Sequence, residues 1–319
     1  MRAPALASPD LFPDPHPCHR SPSSPPAPAA RDQDLAPLEA ALRGAGAAVA
    51  AVDWDDADAD WSRFDLAVLR STWDYTERLP EFLAWAARAA AQTALLNPLA
   101  VVGWNTDKHY LGDLARAGVP VVPSTFVEPG EDAAAALDRF LAAHADAAEF
   151  VVKPCVGAGS SGARRHARAQ RAAALAHARR LLDAGRSVLL QPYLDRVDSH
   201  GETALLFFDG VFSHAIRKAP LLPRDAAAQR AGFDGERIAP RAPSAAEFAA
   251  AERILAALPF GPLLYARVDL LHDADGRPLL LELELTEPSL FFAQAPGSVE
   301  RYAAAILRRC AAPRAAATA

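Results

Sequence analysis

The sequence predicts an α/β protein, with an N-terminal domain on a parallel sheet and two α+β units behind it. Three observations carry this. Between residues 35 and 96 short apolar strands alternate with helical segments, the pattern of an open parallel sheet. From residue 118 onward helix and strand alternate around one glycine-rich loop. Nearer the C-terminal end hairpins replace crossovers, and the last of them carries three carboxylates. At 319 residues, 51% hydrophobic and 23% charged, the chain has room for two or three domains with a substantial core. Lys+Arg 33 against Asp+Glu 39 gives a net charge of −6, so no general attraction to nucleic acid or an anionic membrane is expected. Cys18, Cys155 and Cys310 are widely spaced and form neither a metal motif nor an even disulfide framework, which favours a reducing cytoplasm. The apolar runs are too short to span a bilayer, and the N-terminus lacks the apolar core of a secretory signal.

Taken in order, residues 1–30 hold nine of the 27 prolines, a composition that cannot build a packed core. They read as a disordered proline-rich tail. The N-terminal domain covers 31–123. Leu35 to Arg43 is a helix ended by Gly44, Ala47 to Val52 a strand, and Phe64 to Leu69 another strand leading into Arg70-Ser71-Thr72-Trp73-Asp74-Tyr75. A helix from Leu79 to Ala91 and a short strand to Leu96 precede the break at Asn97-Pro98. This sheet lacks an opening strand, which is either lost or hidden by a mis-assigned start. Asn105 or Thr106 caps a helix to Ala117. A central unit, 124–192, has a helix from Asp132 to Ala143, a strand from Phe150 to Pro154, the glycine-rich loop, a helix from Ala167 to Asp183 and a strand from Val188 to Gln191. The C-terminal unit, 193–312, opens with strands Thr203 to Phe208 and Val211 to Arg217 around the turn Asp209-Gly210. Residues 220–242 lack periodicity, as a mobile loop does. Ser244 caps a helix through Leu258, the acidic hairpin follows, and the last helix runs from Val299 to Cys310.

The hairpin is chemically the richest stretch. Read as a strand, it points Leu281, Leu283 and Leu285 one way and Glu282 and Glu284 the other. Its partner strand, Tyr265 to Leu271, brings Asp269 onto the carboxylate face. An L-E-L-E-L run by itself reads first as a solvated face. Adjacent carboxylates repel, however, unless a cation sits between them, and three converging carboxyl groups suit a hard divalent ion. Glu287 has the wrong parity and is assigned to the loop before Pro288. Lys153 ends a strand and enters the loop Gly157-Ala158-Gly159-Ser160-Ser161-Gly162, whose small residues let N–H groups approach phosphates. The lysine precedes the glycines, so this is not the P-loop order, and many strand-to-helix loops are Gly/Ser-rich. Gln191-Pro192-Tyr193-Leu194 offers an amide and a backbone edge to a purine, or is a plain hinge. Glu202 suits a ribose diol, or merely starts a strand. Lys108, Lys153 and Lys218 each stand at an element boundary in a chain dominated by arginine, and lysine is the compact point charge for phosphate. Arg70, Ser71 and Asp74 sit at the carboxyl end of a strand, where α/β folds bind ligands, or pack against a neighbouring domain. His272 and the other histidines show no ligand spacing and read as solvated. Cys155 has no nearby histidine in sequence to make it a nucleophile.

In order and spacing, these pieces resemble the ATP-grasp superfamily over residues 33–310: Lys108, Lys153-Pro154 and its loop, Gln191 to Leu194, Gly201-Glu202, Lys218, Asp269 and Glu282-Leu283-Glu284. The arrangement is similar to glutathione synthetase, and RSTWDY, NPLAVVGWNTDKHYL, GVFSHAIRK and LLLELELTEPSLFF look closest to the subgroup with the cycloserine-forming O-ureido-serine cyclo-ligase. The resemblance implies two subdomains clamping ATP beside the N-terminal domain, and an ATP- and Mg²⁺-dependent ligase joining a small-molecule carboxylate to an amine through an acylphosphate. It implies phosphate contacts from Lys108, Lys153, Lys218 and the loop with Gly157, Gly159, Ser160 and Ser161. Gln191, Tyr193 and Leu194 would take the adenine and Glu202 the ribose. Asp269, Glu282 and Glu284 would hold two Mg²⁺ ions, Mn²⁺ being the alternative. Arg267 and Lys218 are the catalytic candidates; Arg70, Ser71 and Asp74 are the substrate candidates. A cytoplasmic monomer or homodimer without nucleic-acid or membrane partners is expected. Two departures stand out: the missing opening strand, and Asp225-Ala226-Ala227-Ala228-Gln229, mostly alanine where the subgroup tends to carry a Phe-Arg-Val-Gln-like stretch. They leave open an ATP-binding protein of the same fold with lost or altered ligase activity.

Overall fold

The computed structural model describes residues 2–7, 32–222 and 238–311. The tail reading for residues 8–30 and the alanine-rich stretch Asp225 to Gln229 lie outside them. Three sheets organise the described residues.

The N-terminal sheet has the order β2-β1-β3-β4, with β1 at Arg2–Ala7, β2 at Ala48–Asp53, β3 at Leu66–Val68 and β4 at Ala94–Leu96. The strand expected to be missing is therefore β1. It lies antiparallel to both β2 and β3, while β3 and β4 pair in parallel, so the sheet is mixed and not wholly parallel. Pro4 hid it: a proline removes a ladder donor and argues against a central strand. Helix α1 (Leu35–Gly44) precedes β2, and α2 (Leu79–Gln92) precedes β4. A proline in the first turn of α2, where its missing N–H goes unneeded, opens it. Phe82, Trp85, Ala86 and Ala89 recur at helical spacing and pack against Trp54, Trp61 and Tyr75.

The helix expected to run to Ala117 is two helices, α3 (Leu99–Asn105) and α4 (Tyr110–Arg116). Asn105 is not a cap; it is buried with its amide committed to another strand, described below. The central unit is an antiparallel sheet of order β5-β8-β6-β7, from Thr125–Val127 (β5), Glu149–Pro154 (β6), Arg164–Ala167 (β7) and Val188–Pro192 (β8). Helices α5 (Ala133–Ala143), capped by the Asp132 carboxylate, and α6 (Arg171–Asp183) cover one face and give this unit its own core.

A short helix α7 (Val197–His200) leads into the third sheet, of order β11-β10-β9-β12-β13. Its strands are β9 (Glu202–Phe208), β10 (Val211–Lys218), β11 (Ile238–Arg241), β12 (Tyr265–His272) and β13 (Pro278–Glu284). Alternate residues of β9 go to opposite cores. Ala204, Leu206 and Phe208 meet Leu38 and Leu42 of α1 and Tyr302 and Ile306 of α9 (Ser298–Ala311). Leu205 and Phe207 meet Ile254 of α8 (Ala245–Ala256) and Leu111 of α4. Ser244 and Glu247 form a capping box on α8.

Strand β13 is at the end of its sheet, yet its outer edge is occupied. Val122 N–H donates to Leu280 O and Leu280 N–H to Pro120 O, both at 2.9 Å. Farther along, Asn105 Nδ2 donates to Leu283 O at 2.7 Å, and Asn105 Oδ1 accepts from Leu285 N–H at 2.7 Å. Leu283 N–H reaches the Tyr110 hydroxyl at 2.9 Å. A bulge also interrupts the expected alternation. Asp269 pairs with Glu282 and Leu270 with Leu280, which leaves Leu281 without a ladder partner. Leu281 consequently leaves the core face of Leu280, Leu283 and Leu285 and packs with Val122, Val197, Leu271, Tyr193 and Leu194.

Candidate active site

One cavity of about 710 Å³ lies among the three sheets. The acidic face of β12 and β13 forms its floor. Cross-strand register sets Asp269 opposite Glu282 and Arg267 opposite Glu284, so like charges are interleaved with a cation. Lys108, Lys153 and Lys218 are the three lysines of the chain, and all three line this cavity.

Lys108 Nζ is 2.9 Å from Glu282 Oε1 and donates to Gly157 O at 2.7 Å. Lys218 Nζ donates to Glu202 Oε1 at 2.6 Å and to Asp269 Oδ2 at 2.7 Å. The pairing of Lys218 with Glu202 follows from their register on β10 and β9. It also needs Gly201: φ there is +80°, and a Cβ would come 2.7 Å from Lys218 O. Arg267 Nε donates to Asp269 Oδ1 at 2.9 Å, its Nη1 reaches Ser289 O at 3.1 Å, and its Nη2 also contacts Glu284.

Lys153 differs from the other two. It is buried, and no hydrogen-bond partner for its ammonium is found among the described residues. Burial holds its pKa down, with Lys108 adding repulsion against the pull of Glu282 and Glu202. Burial also raises Glu284 and Glu202, only partly countered by Arg267 and Lys218 respectively. Asp269 goes the other way: burial would raise it, but Arg267 and Lys218 together hold it well below the usual carboxylate range.

Gly157, Gly159, Ser160 and Ser161 border the cavity, as do Gln191, Tyr193, Leu194 and Glu202. Gln191 is buried, with its amide donating to Ser124 Oγ at 2.9 Å. The Tyr193 ring lies under the Arg165 guanidinium at 3.5 Å, and its hydroxyl donates to Asp198. Val122, Val197, Leu271 and Leu281 pack with Tyr193 and Leu194 and give this part of the cavity an apolar lining. Cys155 is a buried thiol whose pKa burial pushes up, which leaves it inert as a nucleophile.

Of the three substrate candidates, only Asp74 lines the cavity; it accepts from Trp54 Nε1 at 2.9 Å. Arg70 and Ser71 are corrected. Both are fully buried and face away into a clamp. Arg70 Nη2 donates to Asp32 Oδ2 at 3.1 Å, its Nη1 contacts Pro288 O, and the Ser71 hydroxyl donates to Asp32 Oδ2 at 2.6 Å. Asp34 beside them accepts from the N–H groups of Leu290, Phe291 and Phe292 at 2.6–3.0 Å. A buried guanidinium requires carboxylates, and it finds them in the segment just before α1, not in a ligand.

Sequence reasoning set Glu287 aside by counting parity through an unbroken strand. Strand β13 ends at Glu284, and Glu287 is a buried carboxyl lining the cavity beside Tyr75. Nor are all the histidines solvated. His272 is buried against His200 and Glu247, the three offering ligand atoms within 4.8 Å of one another. The Arg241 guanidinium sits between His200 and Glu247 and supplies the cation there.

A family model described as the N-terminal domain of D-cycloserine synthetase DcsG matches residues 18–97. The cycloserine biosynthesis protein DcsG of Streptomyces lavendulae is 44% identical over 281 residues, covering 87% of this chain and 94% of that one. The crystal structure of D-cycloserine synthetase DcsG is similar at a TM-score of 0.79 and 43% identity, covering 88% and 95% of the two chains. The ATP-grasp ligase PsnB, solved with precursor peptide PsnA2 and AMPPNP, shares the fold at a TM-score of 0.55 and 20% identity, covering 88% and 95%. No helix among the described residues is long and apolar enough to cross a membrane. The chain belongs to the DcsG family of ATP-grasp enzymes, ATP-dependent ligases that form carbon–nitrogen bonds.

Proposed function

We propose that this chain activates the carboxylate of a small amino-acid-like substrate with ATP and joins it to an amine through an acylphosphate. The observation that carries the reading is the meeting of all three lysines over the Asp269–Glu282–Glu284 floor. With unit boundaries taken at 123/124 and 192/193, each unit contributes one lysine. Lys153 supplies the test of fit: a buried ammonium without a hydrogen-bond partner among the described residues is stabilised when an anion arrives. Phosphate is such an anion, and the loop from Gly157 to Ser161 borders the same space.

On this reading Gln191, Tyr193, Leu194 and Leu281 receive the adenine, and Glu202 the ribose. Asp269, Glu282 and Glu284 would hold Mg²⁺, which neutralises charge on the phosphates. Their present cationic partners, Lys108, Lys218 and Arg267, would then turn to the transferred group. A substrate carboxylate oxygen attacks the γ-phosphorus and ADP leaves. The amine nitrogen attacks the acyl carbon, the carbon–oxygen bond to phosphate breaks, and the nitrogen loses a proton. Arg267, fixed on both sides by Asp269 and Ser289 O, is placed to stabilise the acylphosphate. The identity to DcsG supports an amino acid such as O-ureidoserine as the first compound to try, with ring closure uniting carboxylate and nitrogen of one molecule.

The test is ADP release in the presence of Mg·ATP with and without O-ureidoserine, with products read by mass and the activated acyl group trapped by hydroxylamine. Amino-acid-dependent ADP release and a hydroxamate are expected. ADP release indifferent to amino acids would sink the reading. The double variant Glu282→Gln, Glu284→Gln should lose Mg·ATP binding; unchanged affinity would remove these residues from the metal site.

A further inference from the structure

The cavity end beneath the Trp73–Thr76 turn contains a carboxyl that the reading above does not use. Glu287 is 7% exposed and lines the cavity. The other buried or half-buried carboxylates of the floor each have a cation: Glu282 has Lys108, Asp269 and Glu202 have Lys218, and Glu284 has Arg267. Among the described residues no basic side chain forms an ion pair with Glu287; its partner is Tyr75. Burial, and after it the charge of Glu284, push the Glu287 carboxyl up to about 8. Its ionised form is costly there without a counter-ion, and is favoured when a ligand brings one.

The phosphate end does not supply that counter-ion. The carboxylates that Lys108 and Lys153 respond to are Glu282, Glu284 and Glu202. Glu287 responds instead to Glu284 and Arg267 of the floor and to Tyr75 and Arg70 of the N-terminal domain. Arg267 is already committed to Asp269 and Glu284, and Arg70 to Asp32. What remains for Glu287 is a small cation arriving with the substrate, next to the Arg267 that would face the activated carboxyl.

We propose that Glu287, backed by Tyr75, is the specificity-determining contact for the substrate's non-reacting ammonium group, so that the enzyme takes zwitterionic amino acids in preference to plain carboxylic acids. This rests on the ligase reading above. Glu287 binds and orients, and takes no part in phosphoryl transfer.

The experiment compares O-ureidoserine with 3-(ureidooxy)propanoate, which differs only in lacking the amino group. Both are titrated with and without Mg·ATP against the wild type, Glu287→Gln and Tyr75→Phe. The wild type should prefer the amino acid by about tenfold or more, as a charge-assisted hydrogen bond to a buried carboxylate warrants. Glu287→Gln should bring that preference close to unity, Tyr75→Phe should reduce it in part, and Mg·ATP should bind all three proteins alike. Undiminished preference in Glu287→Gln, or a wild type that binds the two compounds equally or not at all, overturns the proposal. Loss of Mg·ATP binding in Glu287→Gln alone also overturns it, because Glu287 is then a metal ligand. Failure of all three proteins to bind Mg·ATP strikes the ligase reading instead, and the titration without nucleotide still decides the ammonium contact.

Discussion

Two charged networks meet in this protein, built from the same residue types to opposite ends. In the clamp, Arg70, Asp32, Ser71 and Asp34 are buried, and each carboxylate is matched by a guanidinium, a hydroxyl or backbone N–H groups. Among the described residues Arg70 Nε is left without a hydrogen-bond partner there, but on the cavity floor whole charged groups go unmatched. Lys153 has no hydrogen-bond partner among the described residues, and Glu287 no cation. Residue type and burial do not separate scaffold from site. Unmet charge facing a cavity does, because only there does a ligand complete the network.

Breaking each network should therefore give opposite signatures. Arg70→Met removes the one guanidinium from two carboxylates and should cost about 3–5 kcal/mol of stability, read by denaturant unfolding. Mg·ATP affinity of the folded fraction should stay intact. Lys153→Met should do the reverse. Turnover is expected to fall by about a hundred- to a thousandfold, as when one electrostatic donor is lost from an active site. The apo protein should melt at a higher temperature, since a cation whose pKa is lowered by burial binds its proton less readily folded than unfolded and so opposes folding at neutral pH. A lower melting temperature for Lys153→Met would contradict the unmet charge.

A milder probe is amine-selective acylation at pH 8. Lys153, held below its ordinary pKa, should be modified ahead of Lys108 and Lys218, whose pKa values their carboxylate partners raise. Peptide mass mapping should show Mg·ATP protecting it; faster labelling of Lys108 would refute the ordering. The smallest effect concerns His109, between Asp107 at 2.6 Å and Glu128 at 2.8 Å. Its pKa is raised by these carboxylates despite burial, so its stabilisation is full below about pH 6.5 and is lost as pH climbs through the higher folded value. The melting temperatures of wild type and His109→Gln should converge above that value and diverge below pH 6.5.

Most of the site was legible in the sequence because it is written in short local patterns. A strand ending in lysine, a loop of small residues, a glutamate two residues before another: each survives without knowledge of the fold. Lysine scarcity was the clearest signal, since it singled out Lys108, Lys153 and Lys218 before any geometry. What escaped depended on contacts distant in sequence. Arg70 resembled a ligand contact because its carboxylate partners lie 36 to 38 residues away, just beyond a proline-rich stretch. β1 was hidden by Pro4. Leu281 and Glu287 were misplaced because a bulge and an early strand end change side-chain parity, and neither leaves a mark in composition.

The occupied edge of β13 has a consequence of its own. A terminal strand in a sheet is usually the one able to slide by a residue or recruit a strand from another molecule. A slide of one residue would turn Glu282 and Glu284 away from the face they share with Asp269. Asn105, Tyr110, Pro120 and Val122 hold the outer backbone positions of residues 280–285 and so act as a mechanical stop. The strand that carries Glu282 and Glu284 is thereby kept in frame by neutral groups along its outer edge.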